Sequence, residues 1–161
     1  MDLIWAGQAN AEINEAIGRF AAERIWGDER KFENFTSLGI AEHDKLVGAV
    51  IFHNYDPRAQ TIEISGAADT PRWLTRKVLK AMYAYPFEEL GLRMVVQRNS
   101  EHAHSLNSML RRFGMTEYRI EGLRGPDEAE IVFTLTRDQW LNNGYQGKRH
   151  GQEVIERTQA A

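Results

Sequence analysis

Residues 60–97 read QTIEISGAADTPRWLTRKVLKAMYAYPFEELGLRMVVQ. The first seven alternate, with Ile62 and Ile64 on one face of an extended chain and Thr61, Glu63 and Ser65 on the other, which is the period of a strand. A helix follows. Asp69 or Thr70 can cap it, and Pro71 suits the first helical position, where its missing N–H costs nothing. Leu74, Val78, Met82 and Tyr85 then recur at helical spacing. Pro86 kinks the helix or ends its regular part, Gly91 closes the segment, and residues 92–97 (LRMVVQ) form a second strand. Strand, helix and strand make a βαβ unit with a right-handed crossover. In such sheets ligands favour the carboxyl ends of strands, beside a helix N-terminus.

The start of that helix carries Arg72 and Arg76, four residues apart and so on one helical face, with Lys80 extending the row and Thr75 beside it. A helix N-terminus bears partial positive charge, and each cation there costs about 0.3–1 kcal/mol. Two readings account for the pair. The arginines are solvated, or matched by Asp69 or other carboxylates. Alternatively, they and the first helical amides converge on a phosphate-like anion, whose charge-assisted contacts outweigh the dipole penalty. Trp73 reads first as a packing residue.

Working outward, residues 9–26 place Ile13, Ile17, Phe20, Ala21 and Ile25 at helical spacing, an amphipathic helix. Residues 37–54 (SLGIAEHDKLVGAVIFHN) carry two β-rich runs around a turn containing Asp44, a hairpin signal, and Asp56 with Pro57 makes the next turn. After the βαβ unit, Asn99 or Ser100 caps another helix, whose apolar face is Ala103, Leu106, Met109, Leu110 and Phe113 and whose stop is Gly114. Residues 115–121 and 130–135 are two further strands joined by a Gly-Pro-Asp loop. The predicted order is helix, three strands, helix, strand, helix, two strands. It forms one α/β domain over residues 1–140, followed by a polar, glycine-rich tail over 141–161. A mixed sheet with helices on both faces buries these stripes, and the strands flanking the long helix are its parallel pair.

Composition excludes several classes. With 161 residues, one domain is expected, long enough to bury its own core without disulfide or metal. The net charge of −3 supplies no general basic field for nucleic acid or an anionic membrane. There are no cysteines, so cysteine nucleophiles, thiolate metal sites and a disulfide framework are ruled out. The N-terminal MDLIWAGQAN lacks a basic, long-apolar leader, and no apolar run approaches the roughly 18 residues of a membrane span. A soluble, cytoplasmic protein is expected.

Four strings in this order, KLVGAVIF (45–52), YPFEELGLRMV (85–95), LNSMLRRFGMTEYRIEG (106–122) and VFTLTRDQW (132–140), resemble the GNAT N-acetyltransferase superfamily. The likeness is greatest to its ribosomal-protein N-terminal acetyltransferase-like branch and covers about residues 38–140. The resemblance implies a single-domain α/β fold, with a mixed, mostly antiparallel sheet, one splayed parallel pair and helices on both faces. It also implies transfer of acetyl from acetyl-CoA, as co-substrate, to an amine: a protein N-terminus, a side-chain amine or a small molecule. By the same resemblance the pantetheine arm adds like a pseudo-strand at Gly66, Ala67 and Ala68, and the pyrophosphate sits at the start of the next helix, at Arg72, Trp73, Leu74, Thr75 and Arg76. The family builds that cradle from a glycine-rich loop. This chain has no glycine between Gly66 and Gly91, and a capped helix start with two arginines stands in its place.

Acetylating an amine needs a neutral amine, a polarised thioester carbonyl and a proton for the departing thiolate. The family's acid is a Tyr on the helix after the splayed pair, or a Ser in the ribosomal branch. No Tyr lies between Asn99 and Gly114, and Ser105 is the nearest match to the serine. Asn99 resembles the family's Asn at the end of the preceding strand. Glu63, on the polar face of its strand, is the candidate base. The plainer readings are a solvent-facing Ser105, a helix-capping Asn99 and a solvated Glu63. His53 shares the face of Glu63 across the hairpin and is a secondary proton shuttle or a structural pair. His102 and His104, two apart on a helix, point apart, and no metal is expected. The acceptor is expected to be set by the first helix, the loop after it (27–35) and the last hairpin loop (122–129). Oligomeric state is not readable, a homodimer being one option. The other class compatible with the glycine-poor loop and the absent Tyr is a non-catalytic CoA-binding or scaffolding module.

Overall fold

Residues 1–142 are described by the structure, a computed structural model, and the predicted tail falls outside them from residue 143 onward. Seven strands, β1 (Asp2–Ala6), β2 (Thr36–Glu42), β3 (Lys45–Asp56), β4 (Thr61–Ala68), β5 (Met94–Ser100), β6 (Thr116–Ile120) and β7 (Glu130–Thr136), form one sheet in the order β1-β2-β3-β4-β5-β7-β6. Among the described residues only β4 and β5 run parallel. The helices are α1 (Ala11–Ile25), α2 (Arg76–Ala84), α3 (His104–Phe113) and α4 (Arg137–Asn142).

Turn chemistry joins the strands. His43 and Asp44 both take positive φ (50° and 61°), the geometry that closes a two-residue hairpin between β2 and β3. The Asp56 carboxylate accepts from the amides of Arg58 and Ala59 at 2.9 and 3.1 Å and turns β3 into β4. Alternation then assigns the faces. Val50, Phe52, Ile62 and Ile64 pack with Val78, Met82 and Tyr83 of α2 and with Leu110 and Phe113 of α3. Ala49 and Ile51 face the other way, against Ile17 and Ala21 of α1. The expected layering therefore holds, with helices on both faces of a mixed sheet.

Four local departures have physical causes. β1, which pairs with β2 at the sheet edge, escapes a pattern reading because DLIWA has no alternation of its own. α4, which runs across the expected domain boundary at 140, is only six residues long; its Trp140 stacks on Phe87 at 5.4 Å. The long helix begins not at Pro71 but at Arg76, capped by Thr75, whose hydroxyl accepts from the Val78 amide at 3.3 Å. Asp69 cannot cap it, because its amide is bonded to Val47 O on β3 and its carboxylate is held twice by Arg24 of α1, at 2.6 and 3.0 Å. Thr70, as the residue before proline, is steered away from helical geometry. Lastly, β5 runs on through Ser100, so α3 starts at His104 with Ala103 as a cap that makes no side-chain bond, rather than with Asn99 or Ser100.

Other stops agree with the sequence. Pro86 ends the regular α2 and the chain widens into a π-turn, Tyr85–Glu89, before Gly91 reverses it at φ 64°. Gly114 ends α3 in the left-handed conformation at φ 99°. A cap test follows from the start of α2. Thr75→Ala should lower unfolding free energy by about 1 kcal/mol in urea titration, whereas Thr70→Ala, at the site where sequence would have put the cap, should stay within about 0.5 kcal/mol of the parent.

Candidate functional site

β4 and β5 share three parallel rungs, Thr61↔Met94, Ile62↔Val95 and Glu63↔Val96, and then part. Beyond Glu63, β4 pairs only with β3, through Ile64, Ser65, Gly66, Ala67 and Ala68, while β5 pairs only with β7, through Gln97, Arg98, Asn99 and Ser100. Alternation sends Ile64, Gly66, Gln97 and Asn99 to the α2/α3 side of the gap, and Glu63, Ser65 and Arg98 to the α1 side.

On the α2/α3 side the parting opens a crevice between the strands and Leu106 and Leu110 of α3. Trp73, on the loop before α2, lies in it. A Cβ added at Gly66 would sit 2.9 Å from the indole, and one at Gly48, on β3, 3.1 Å from it. The two glycines are what let the ring lie flat on the sheet, and it leaves about 20 Å3 free. At the far wall, Asn99 donates to Oδ1 of Asn107 at 3.1 Å, and Asn107, itself 1 % exposed, donates to Ser100 O at 3.0 Å. Gln97 accepts a 2.6 Å bond from the Tyr83 hydroxyl, whose pKa burial raises far above that of a free tyrosine.

On the α1 side a polar cluster surrounds Glu63. His53 is its cross-strand partner, with Nε2 3.8 Å from the carboxylate and 2.8 Å from the Ser65 hydroxyl. The regular register of β3 breaks after His53. Asn54, at φ 50°, donates to the other Glu63 oxygen at 2.8 Å. Phe32, from the loop after α1, closes edge-on over the imidazole at 5.0 Å. Burial lowers the His53 pKa, opposed by the Glu63 carboxylate and assisted by Arg98, so the neutral ring is favoured. Nearby, Glu130, 4 % exposed, is bonded by Arg98 at 2.6 Å and approached by Arg124 at 3.4 Å, so its charge is compensated.

The predicted residues are therefore only partly gathered. Gly66, Trp73, Leu74 and Asn99 line the crevice, and Ala67 and Ala68 continue the β4 edge beside it. Arg76 is the first residue of α2, but Arg72 lies in the preceding turn, so the two do not share a helical face. Ser105 is exposed in the first turn of α3 and does not line the crevice; its neighbour Leu106 does. His102 is in a turn rather than on α3, and its ring stands 6.4 Å from that of His104. Among the described residues there is no group of three or more His, Asp or Glu side chains arranged to hold a metal. Nor, among them, is any helix long and apolar enough to cross a membrane.

Sequence reasoning missed Gln97, Asn107, Asn54 and Phe32. Two had a readable signal: Gln97 continues the buried face of Val95, and Asn107 falls within the apolar stripe of α3 between Ala103 and Leu110. Polar side chains there must find partners. Asn54 and Phe32 depend on a strand irregularity and a loop path that no local pattern encodes.

No family model matches the sequence, and no curated protein matches it. Solved structures do. A protein described as a probable acetyltransferase aligns over 65% of this chain and 63% of its own, just under two thirds of its length, at 19% identity and TM-score 0.54. A chimera of the Vibrio cholerae spermidine N-acetyltransferase SpeG and hSSAT aligns over 88% of this chain and all of its own (100%), at 11% identity and TM-score 0.66. A dodecameric spermidine N-acetyltransferase from Vibrio cholerae covers 88% and 96%, at 11% identity and TM-score 0.62. At these identities the likeness establishes the fold, which is that of the GNAT acetyltransferases.

The buried His53 generates a pH prediction. Its folded pKa lies below the unfolded value, so below about pH 6.5 the unfolded chain binds more protons and stability is lost as the pH is lowered. Glu63 and Arg98 are the charged groups that act on the ring. His53→Gln should flatten the stability profile between about pH 7 and 5, measured by urea unfolding across that range.

Proposed function

We propose that this chain is an acetyl-CoA-dependent N-acetyltransferase of the cytoplasm. The observation that carries the reading is the parting of β4 and β5 after Glu63↔Val96, with a crevice on one side of the gap and a carboxylate–imidazole cluster on the other. A thioester entering from the crevice and an amine entering from the Glu63 side would meet across the gap.

The residues fit such a co-substrate in part. The edges of β4 and β5 beyond the last rung face one another without ladder bonds, which suits the amides of a pantetheine arm. The start of α2, with Arg76 at its first position, Arg72 just upstream and Lys80 one turn on, suits a pyrophosphate. Trp73 occupies the path of the arm and has to withdraw from Gly66 and Gly48.

In the reaction, the amine nitrogen bonds to the thioester carbon and the carbon–sulfur bond breaks, with the electron pair leaving on sulfur. Glu63 and the neutral His53 take the amine proton, and Asn54 and Ser65 hold them in place. Ser105, exposed beside the crevice-lining Leu106, or water at the mouth returns a proton to the thiolate. The acceptor is a protein N-terminus, a side-chain amine or a small amine. Both the ribosomal-branch resemblance and the spermidine enzymes among the structural relatives put polyamines and N-terminal peptides in the test panel.

Trp73 also favours a second reading, a non-catalytic CoA-binding or scaffolding module, because its indole leaves so little of the crevice free. Calorimetry with acetyl-CoA, followed by thiol release over the amine and peptide panel, separates the two. Binding with thiol release supports the enzyme, and binding without release on any acceptor supports the module.

Two variants test the assigned roles. Arg72→Gln with Arg76→Gln should raise the acetyl-CoA Kd by about 10–100-fold, as expected for losing two charge-assisted contacts, with unfolding free energy within about 1 kcal/mol. Glu63→Gln should lower kcat by about 100-fold with the acetyl-CoA Kd unchanged.

A further inference from the structure

The crevice wall carries a donor, on a largely buried side chain, that neither the base nor the anion site uses. Gln97 is the first β5 residue beyond the last parallel rung, it lines the crevice, and it is 5 % exposed. Its Oε1 is taken by the Tyr83 hydroxyl at 2.6 Å, and Tyr83 is itself fully buried on the inner face of α2. That bond fixes which way the amide points: oxygen toward Tyr83, and the Nε2 hydrogens on the other branch. Nε2 has no hydrogen-bond partner among the described residues. The side chain is more than nine-tenths buried, yet this nitrogen is not shut off from solvent, so an unused donor is open to an acceptor placed in the crevice.

Two other side-chain donors stand on the crevice wall. Asn99 gives one N–H to Asn107 and keeps a second, but it lies two residues further along β5 from the Glu63↔Val96 rung than Gln97 does. The indole N–H of Trp73 belongs to a ring that has to leave when the crevice is filled. Gln97 also stands one residue beyond the Glu63↔Val96 rung, on the opposite face from the Glu63–His53 cluster. A group held there has the proton acceptor across the gap from it.

We propose that Gln97 is the donor to the acyl carbonyl oxygen of the thioester, and that Tyr83 is the residue that positions it. This rests on the acetyl-CoA reading above. As the amine nitrogen bonds to the carbonyl carbon, the C=O π pair moves onto oxygen, and the Gln97 N–H stabilises that charge. The pair returns as the carbon–sulfur bond breaks and the thiolate leaves. The amine proton passes to the Glu63–His53 cluster, and the thiolate is protonated at the crevice mouth. Gln97 stays neutral and exchanges no proton. Pre-oriented donors of this kind contribute about 100- to 1,000-fold to acyl transfer.

The test uses the full chain and acetyl-CoA carrying 13C at the acyl carbonyl. In the parent, difference infrared spectroscopy should show the bound thioester C=O band shifted to lower frequency than in solution, a readout that needs no turnover. Gln97→Met should return the band toward its solution position and lower kcat by about 100-fold, with the Kd for CoA lacking the acetyl group unchanged. Tyr83→Phe should broaden the band and lower kcat by a smaller factor, because the amide stays but loses its fixed orientation. Since Gln97→Met leaves the buried Tyr83 hydroxyl with only the weak Met115 sulfur acceptor at 3.9 Å, the Gln97→Met/Tyr83→Phe double variant, which removes both members of the pair, provides the folded control and should match Gln97→Met in band position and kcat. A parent-like band and parent-like kcat in the double variant would overturn the role of Gln97 while leaving the acetyltransferase reading intact. Failure of the parent itself to bind acetyl-CoA by calorimetry would instead overturn that reading, and this role with it.

Discussion

The parallel pairing of β4 with β5 fails after three rungs, and the candidate site is a consequence of that failure. β4 and β5 hold together for three rungs and then each follows its other neighbour. Backbone N–H and C=O groups along the parted edges lose the partners that a continuous sheet would supply, and unpaired polar backbone shielded from water is costly. Packing fills the space without supplying those partners. Two glycines, Gly48 and Gly66, let the Trp73 indole lie down over the gap from the α2 side. An arm carrying its own amides would pair with the same edges more completely than an indole can. The gap is therefore both a defect of the sheet and the basis of its proposed chemistry.

Because strand side chains alternate, the same two strands serve both sides of the gap. Ile64, Gly66, Gln97 and Asn99 build the crevice, while Glu63, Ser65 and Arg98 build the polar cluster. The two sides are also tied at the rim. Asp69, just after β4, is gripped by Arg24 of α1, whose guanidinium lies over the Phe20 ring at 3.4 Å. That contact lowers the Asp69 pKa, through the hydrogen bond from Arg24 above all, and keeps the start of the Trp73 loop on the sheet. It also removes Asp69 as a cap for α2, which begins at Arg76 with Thr75 as its cap.

Legibility differed by the range of the interaction involved. Strands with a plain alternation, such as β4, and stops governed by one residue, such as Gly114 and Pro86, follow from short-range rules and were readable. The crossover and the parallel pair followed from element order. The cap of α2 was not readable, because three residues, Asp69, Thr70 and Thr75, are all competent N-caps and the choice depended on Arg24, 45 positions away from Asp69. The start of α3 was misjudged for a related reason: Asn99 and Ser100 are good capping types, but pairing with β7 holds both in the strand. Within the site, Glu63 and His53 could be set on one face from the hairpin register. The engagement of Asn54 with Glu63 depended on a break in that register, and of Phe32 with His53 on the path of a loop.

By itself the sequence determined the period of each strand and helix, the order of the elements and hence the parallel crossover, because these depend on side chains a few residues apart. Only the tertiary structure decided where β4 and β5 part, which side chain fills the gap and which buried amide is left with an unused donor. Each of those outcomes is a competition among partners distant in sequence: β3 against β5 for the edge of β4, Arg24 against the helix for Asp69, and Tyr83 for one end only of Gln97.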